Sequence, residues 1–327
     1  DLFVAARLIP GQYPLIPQSY YLENRDGKLI DRSAKLLPKE GRLGRIASAH
    51  LVIENSFPSL YFTGDWTGIH RLRFKEGYFQ LKESVTGEKH HGLWNTIELA
   101  DLDEDGDLDI IAGNYGLNTP YSATSTHPLL MLYGNINSES QLDQVIFNFE
   151  NGDYYPIHLR GNFMRQFQSK KREFNTFSAY AQATIDNLFT LEEKEKLNKL
   201  TVHMFETVVF ENTGTGYTVH SLPIEVQQSP IFATQLLTIK KKKYILLVGN
   251  DNMHEVFTGP KNAFNGALIE VNQNLDFKRI DAKNLGLDVP GAGKQISTLN
   301  MNNDTLLLIS QNNDKLLVYG IDNAIDQ

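Results

Sequence analysis

The chain of 327 residues has no cysteine, so no disulfide holds the fold and cysteine chemistry is excluded. That is compatible with any compartment, oxidising or reducing. Positive charge is also scarce. With 31 Lys and Arg against 39 Asp and Glu, the formal net charge is -8, which argues against nucleic acid as a partner. The one basic cluster, Lys240 to Lys243, lies between two strand-like runs and reads as an exposed hairpin turn. No apolar run approaches the roughly 20 residues of a membrane span. No H-E-x-x-H, G-x-S-x-G or phosphate-loop motif occurs, and no catalytic residue is assigned. His90 and His91 are adjacent, which on a strand points them to opposite faces.

What the sequence does contain is repetition. Five buried-type β runs end in small or polar residues: LFVAAR (Leu2 to Arg7), LYFTGDW (Leu60 to Trp66), DIIAGNYG (Asp109 to Gly116), ILLVGNDN (Ile245 to Asn252) and LLLISQNND (Leu306 to Asp314). Aligning Ala6, Gly64, Gly113, Gly249 and Gln311 gives spacings of 58, 49, 136 and 62 residues. Four of the runs are trailed by a strand–turn–strand pattern, at Tyr21 to Ser33, His70 to Ser84, Val209 to Ser221 and Leu268 to Ile280. A unit of this size, one inner strand followed by an outer hairpin, outlines a propeller blade. The long gap predicts one further blade and one insertion. Helical periodicity marks the insertion as 163–205, with TLEE (Thr190 to Glu193) as a capping box. It reads either as a structural cover or as a docking surface. Trp66, Trp94, Tyr13 and Tyr115 fall near strand ends, where aromatic side chains either pack or form platforms for sugars and peptides.

The chemistry-bearing stretch is ADLDEDGDLDIIAGNYGLN, with five aspartates in nine residues. Asp101, Asp103, Asp105 and Asp109 occupy positions 1, 3, 5 and 9 of D-x-D-x-D-G-x-x-D, Gly106 permits the turn, and Asp107 at position 7 offers its backbone carbonyl. An oxygen-only set at this spacing suits structural Ca²⁺. It is not an EF-hand, because position 12 is Ala112 and the chain leaves as a strand. Asn135, Asn137, Glu139 and Asp143 fit the same register as a weaker second site, with Ser140 in the place of glycine.

An aspartate loop followed by IIAGNYGLN resembles the FG-GAP or VCBS repeat of integrin α-subunit propellers and bacterial surface proteins. The wider chain resembles the C-terminal portion of VCBS-repeat proteins of Bacteroidota-type bacteria, through LFVAARLIPGQYP, LWNTIELADLDEDGDLDIIAGNYGLN, FSAYAQATIDNLF, VVFENTGTGYTVHSLP and LLVGNDN. The resemblance implies an all-β fold, a β-propeller or propeller segment over 1–327 with a helical insertion, lacking an N-terminal part. It further implies a non-enzymatic, calcium-stabilised binding or scaffold protein, secreted or on the outer-membrane surface, with protein partners as a subunit of an outer-membrane assembly. A glycan-binding protein, or a propeller-type polysaccharide hydrolase or lyase, is the alternative.

Overall fold

The computed structural model describes residues 1–54, 56–136, 142–253, 258–280, 285–301 and 304–321. Within them the chain is all-β, with six sheets. The first holds β1 (Leu2–Val4), β2 (Tyr20–Arg25) and β3 (Lys28–Asp31), followed by the one-turn helix α1 (Ser33–Leu36). The second is β4 (Ile46–Glu54), β5 (Phe57–Thr67), β6 (His70–Lys75) and β7 (Tyr78–Ser84), with the short β8 (Gly92–Leu93) on β5. The third opens with β9 (Thr96–Ala100) and β10 (Asp109–Gly113). The fourth then intervenes: β11 (Leu129–Gly134), β12 (Asp143–Glu150), β13 (Asp153–Pro156) and β14 (Asn198–Val202). Only after it do β15 (Val208–Asn212) and β16 (Tyr217–Ser221) return to complete the third sheet against β10. The fifth is β17 (Ile231–Ile239), β18 (Lys242–Gly249), β19 (Ala267–Val271) and β20 (Phe277–Ile280). The sixth is β21 (Gly293–Met301), β22 (Asp304–Gln311) and β23 (Leu317–Ile321).

The long gap in the repeat spacing therefore has a topological cause. The extra sheet does not follow the third in series but is inserted inside it, and the hairpin Val209 to Ser221 belongs to the sheet that began a hundred residues earlier. The helical segment is also shorter than 163–205. It runs through α2 (Arg160–Gln166), α3 (Phe177–Ala181), α4 (Ile185–Leu188) and α5 (Leu191–Glu195), after which β14 pairs with β11. The Thr190–Glu193 capping box is formed, with both reciprocal hydrogen bonds made. The helices are not a detachable cover. Phe163, Phe167 and Phe189 pack with Leu130, Leu132 and Phe147 of the fourth sheet in one buried cluster, so removing them would expose a sheet face.

Four of the five aligned runs are the second strands of their sheets, and side-chain alternation explains their unbroken apolarity; LFVAAR instead holds β1, an edge strand with Leu2 and Val4 exposed. Ile110 and Ala112 of β10 face the second sheet while Ile111 faces the fifth. Ile245 and Leu247 of β18 face the third sheet while Leu246 and Val248 face the sixth. Leu60 and Phe62 of β5 pack toward the first sheet, and Tyr61 toward the third. These strands are buried on both sides because the sheets stack face to face. The first strands follow suit: β4 lies beside β9, β9 beside β17 and β17 beside β21.

Three second strands, β5, β18 and β22, are built alike near their ends, whereas β10 pairs Gly113 with Thr96 in unbroken register. Gly64, Gly249 and Gln311 pair opposite Ile46, Ile231 and Gly293, and each first strand is bulged at that point. The next residue, Asp65, Asn250 or Asn312, donates its N–H to the carbonyl of Arg45, Pro230 or Ala292 at 3.1, 3.0 and 2.8 Å. The strands approach so closely that a Cβ at Gly64 would lie 1.7 Å from the Arg45 carbonyl oxygen, and one at Gly249 2.1 Å from that of Pro230. Gly249→Ala is expected to destabilise the fold by about 1–3 kcal/mol, the range of overpacking, whereas Gly216→Ala changes it by less than about 0.5 kcal/mol. Nothing lies within 4 Å of a Cβ at Gly216. Urea melts of the two variants check this, and equal midpoints would refute the close-approach account.

Candidate metal centre

The aspartate loop is the β9–β10 connection. It turns through Glu104 (φ 68°) and Gly106 (φ 96°), the left-handed region that glycine adopts without cost. Its own backbone N–H groups wind onto its carboxylates. Glu104 and Gly106 donate to the two oxygens of Asp101 at 2.7 and 3.1 Å, and Asp105 N–H to Asp103 at 3.2 Å. Asp109 is fully buried, and both its oxygens accept backbone N–H groups: Leu102 at 2.9 Å, which closes the loop, and Asn212 at 2.8 Å, which ties it to β15.

One oxygen each from Asp101, Asp103 and Asp109 lies within 4.8 Å of the others, the only such group of three among the described residues. Oxygens on one Ca²⁺ at 2.3–2.6 Å can be at most about 5.2 Å apart, so the three fit a single coordination sphere. Among the described residues no salt bridge reaches these three carboxylates, and Lys243 pairs with Glu104 instead. Burial, opposed by the two N–H donors and reinforced by Asp103 and Asp105, pushes the Asp109 carboxyl up to about 6. Burial and the neighbouring Asp105 and Asp101 likewise raise Asp103.

Of the expected ligand set, the Asp105 carboxylate lies outside this group, whereas Asp107 is expected to act through its backbone carbonyl. Asp105 is exposed, outside the cluster, and accepts the Asp107 N–H at 2.8 Å. Asp107 is exposed too, its carboxylate beside Gly214 in the β15–β16 turn. A cation on the three clustered carboxylates would recruit Asp105 by a side-chain rotation, which an exposed residue makes freely.

The second loop is partly described. Asn137 and Glu139 lie outside the described residues; Asn135 and Asp143 lie within them. Asp143 is buried and accepts the Ile136 N–H at 3.1 Å, the same position-9-to-position-2 closure that joins Asp109 to Leu102. Its other oxygen takes the Gln166 amide at 3.2 Å, where Asp109 takes a strand N–H.

The basic cluster joins this site. Lys240 and Lys241 form the hairpin turn, both at positive φ, whereas Lys243 is folded inward. Its ammonium donates to the carbonyls of Asp101 and Leu102 at 2.8 and 3.1 Å and pairs with Glu104 at 3.3 Å. Gln273 also donates to Glu104, so the fifth sheet grips the loop from outside. Spacing along the chain gave no sign of this cross-sheet contact, 142 residues apart.

At the opposite end of β10 stand polar residues that sequence reasoning passed over. Asn114, fully buried, accepts from Leu93 and Tyr115 N–H and donates to the carbonyls of Met204 and Glu206. Asn250, also fully buried, accepts from Phe264 N–H and donates to the carbonyls of Phe264, Pro290 and Gly291. The repeated Gly-Asn of IIAGNYG and LLVGNDN was the available signal. Trp66 and Trp94 are both buried as packing residues, and Tyr13 and Tyr115 are half-buried.

No family model matches the chain, and no curated protein matches it. Among solved structures it is similar to a glycoside hydrolase family 43 arabinoxylan arabinofuranohydrolase from Bacillus subtilis, at 10% identity and TM-score 0.31, over 80% of this chain and 41% of that one. It is also similar to the Bombyx mori GH32 beta-fructofuranosidase BmSUC1, at 8% identity and TM-score 0.23, over 81% of this chain and 55% of that one. The chain thus spans about half the length of these proteins, and likeness at this level carries no argument about activity.

Two outcomes follow from the loop. Asp103→Ala abolishes the rise in melting temperature on adding Ca²⁺, while Asp105→Ala only reduces it; equal loss in both would contradict the three-carboxylate core. Without a cation, folded Asp109 keeps its proton to about pH 6, whereas an unfolded aspartate releases it near about 3.9. Its contribution therefore favours the fold at low pH and is lost as pH rises through about 6. A cation displaces that proton, so the Ca²⁺-induced stabilisation grows between pH 5 and pH 7.5. Calcium titrations of melting temperature at both pH values check the sign.

Proposed function

We propose that the protein is a calcium-stabilised, non-enzymatic binding module of the β-propeller type, of the FG-GAP/VCBS kind, acting at the bacterial cell surface. The observation that carries this reading is the convergence of Asp101, Asp103 and Asp109 on one sphere at a junction between sheets. A bound Ca²⁺ would supply the positive charge those carboxylates lack. The chain's own residues do the rest. Asp109 fastens β15 through Asn212, and Lys243 holds the loop to the fifth sheet through two carbonyls. The propeller reading is supported by sheets stacked face to face, with first strands side by side.

A protein partner, as in an outer-membrane-associated assembly, is favoured by the helical segment. There Phe177 is 78% exposed with the Arg160 guanidinium 5.4 Å over its ring, and Leu191 is 77% exposed. A partner seated on this segment would bury both side chains.

With Ca²⁺ at a hundred times its Kd, the fold gains about 2.7 kcal/mol, which differential scanning fluorimetry with and without chelator reads as a raised melting temperature. An unchanged melt would sink the structural role of calcium. For the partner, a pull-down from solubilised outer membranes, read by mass spectrometry, is expected to return a stoichiometric protein with wild type and to lose it with Phe177→Glu. Retention by that variant would move the contact off the helical segment.

A further inference from the structure

A cavity of about 380 Å³ lies where all six sheets send a residue. Arg7 follows β1, Asp65 is near the end of β5, Asn95 precedes β9, Met131 is on β11, Phe232 on β17 and Lys294 on β21. The volume falls within the range of small-ligand sites, about 300–1,000 Å³. Part of the lining is apolar, from Leu93, Met131, Ile146 and the half-buried ring of Tyr13. The charged part is Arg7, Lys294, Asp65 and Asp251.

The two cations are held in place without being used up. Asp65, only 7% exposed, takes Arg7 by its Nε and Nη2 at 3.1 and 2.8 Å, and Asn95 takes Nη2 at 3.3 Å. That fork fixes the guanidinium plane and leaves Nη1 with no protein partner among the described residues. Lys294 gives one N–H to the Asn250 carbonyl at 3.2 Å and rests over the Phe232 ring. Burial lowers its pKa to about 8, so its ammonium is poorly solvated where it stands. A guanidinium edge and an ammonium in one partly dry cavity are donors for a carboxylate. The two carboxylates of the lining make its formal charge zero. That disfavours phosphate dianions and suits a single negative charge on a body with hydroxyl groups, for which the Asn95 amide offers a partner. A saccharide ring presents just that combination, with C–H faces for the apolar lining.

We infer that this cavity binds an acidic saccharide unit, a sugar ring bearing one carboxylate, with Arg7 and Lys294 receiving the carboxylate. The site is separate from the aspartate loop, so it stands or falls independently of the calcium reading.

Isothermal titration calorimetry on the calcium-saturated protein tests it, with glucuronic acid- and galacturonic acid-containing disaccharides as probes. Their neutral glucose and galactose counterparts, and acetate, are titrated alongside. The expected result is binding of an acidic disaccharide, no measurable binding of the neutral ones, and at least about tenfold weakening in Lys294→Met, the worth of one charge-assisted hydrogen bond. Asn95→Ala, at a residue with less structural burden, is expected to weaken binding with an unchanged melting temperature, which keeps the test valid if Lys294→Met folds poorly. Equal affinity for neutral and acidic sugars would overturn the carboxylate assignment, binding of acetate as tight as the disaccharide would overturn the saccharide, and no binding of any probe would overturn the site. In each case an intact calcium-dependent melt would leave the cation loop standing.

Discussion

The fold depends on one polar position, the residue after the glycine near the end of the second strand in the second, third and fifth sheets. There the strand leaves a sheet that is buried on both faces, so its freed backbone groups and those of the neighbouring segments need partners that water cannot supply. Asn114 and Asn250 meet that demand with both ends of their amides, reaching across to the second sheet and the β14–β15 connection in one case and to the lead-in of β21 in the other. Asp65 holds the same place in the second sheet but carries a charge, and it recruits Arg7 to match it. Because the neighbouring glycines admit no Cβ, the polar residue is pinned at a fixed distance from the adjacent first strand. An aliphatic side chain would leave several buried N–H and C=O groups unpaired, each at a cost of about 1–3 kcal/mol.

From that arrangement the distribution of chemistry follows. Strands buried on both faces have no room for ionisable groups along their length, so charge is confined to their ends. At one end of β10 it is negative, the aspartate loop; at the other it is mixed, the cavity with Arg7 and Lys294. Among the described residues, the charge of the aspartate loop is met from outside by Lys243, which pairs with Glu104 and holds two loop carbonyls. The cavity balances its cations internally through Asp65 and Asp251. An unbalanced loop suits a cation, and a balanced cavity with unspent donors suits an organic ligand.

What the sequence revealed was whatever is local. Continuous apolar runs and Gly- or Asn-containing turns marked the second strands and their hairpins, the capping box at Thr190 and Glu193 marked a helix start, and alternate aspartates with Gly106 marked the loop. The placement of Asp101, Asp103 and Asp109 together was legible for the same reason, since all three sit within one tight turn. What was not legible spans long separations. The insertion of the fourth sheet between β10 and β15 leaves no local trace, because β15 looks like any hairpin strand until its partner is known. β14 was absorbed into the helical pattern for the same reason, and the exposure of Asp105 could not be read from a register it shares with half-buried Asp101 and Asp103 and buried Asp109. Arg7 and Lys294 stand 287 residues apart in the chain, and neither carries a motif.

The separation of loop and cavity is itself informative. They lie at opposite ends of β10, a strand of five residues and so roughly 17 Å long. A cation in the loop cannot touch a ligand in the cavity. Their only common element is β10 with its neighbours, buried on both faces and held at one end by Asp109 and at the other by Asn114. Interiors packed this tightly transmit strain but do not deform continuously. The loop therefore acts on the cavity, where it acts at all, by fixing the strand that carries Tyr115 to its rim, and the affinity of the cavity depends on the loop only to the extent that the third sheet is loosened without it.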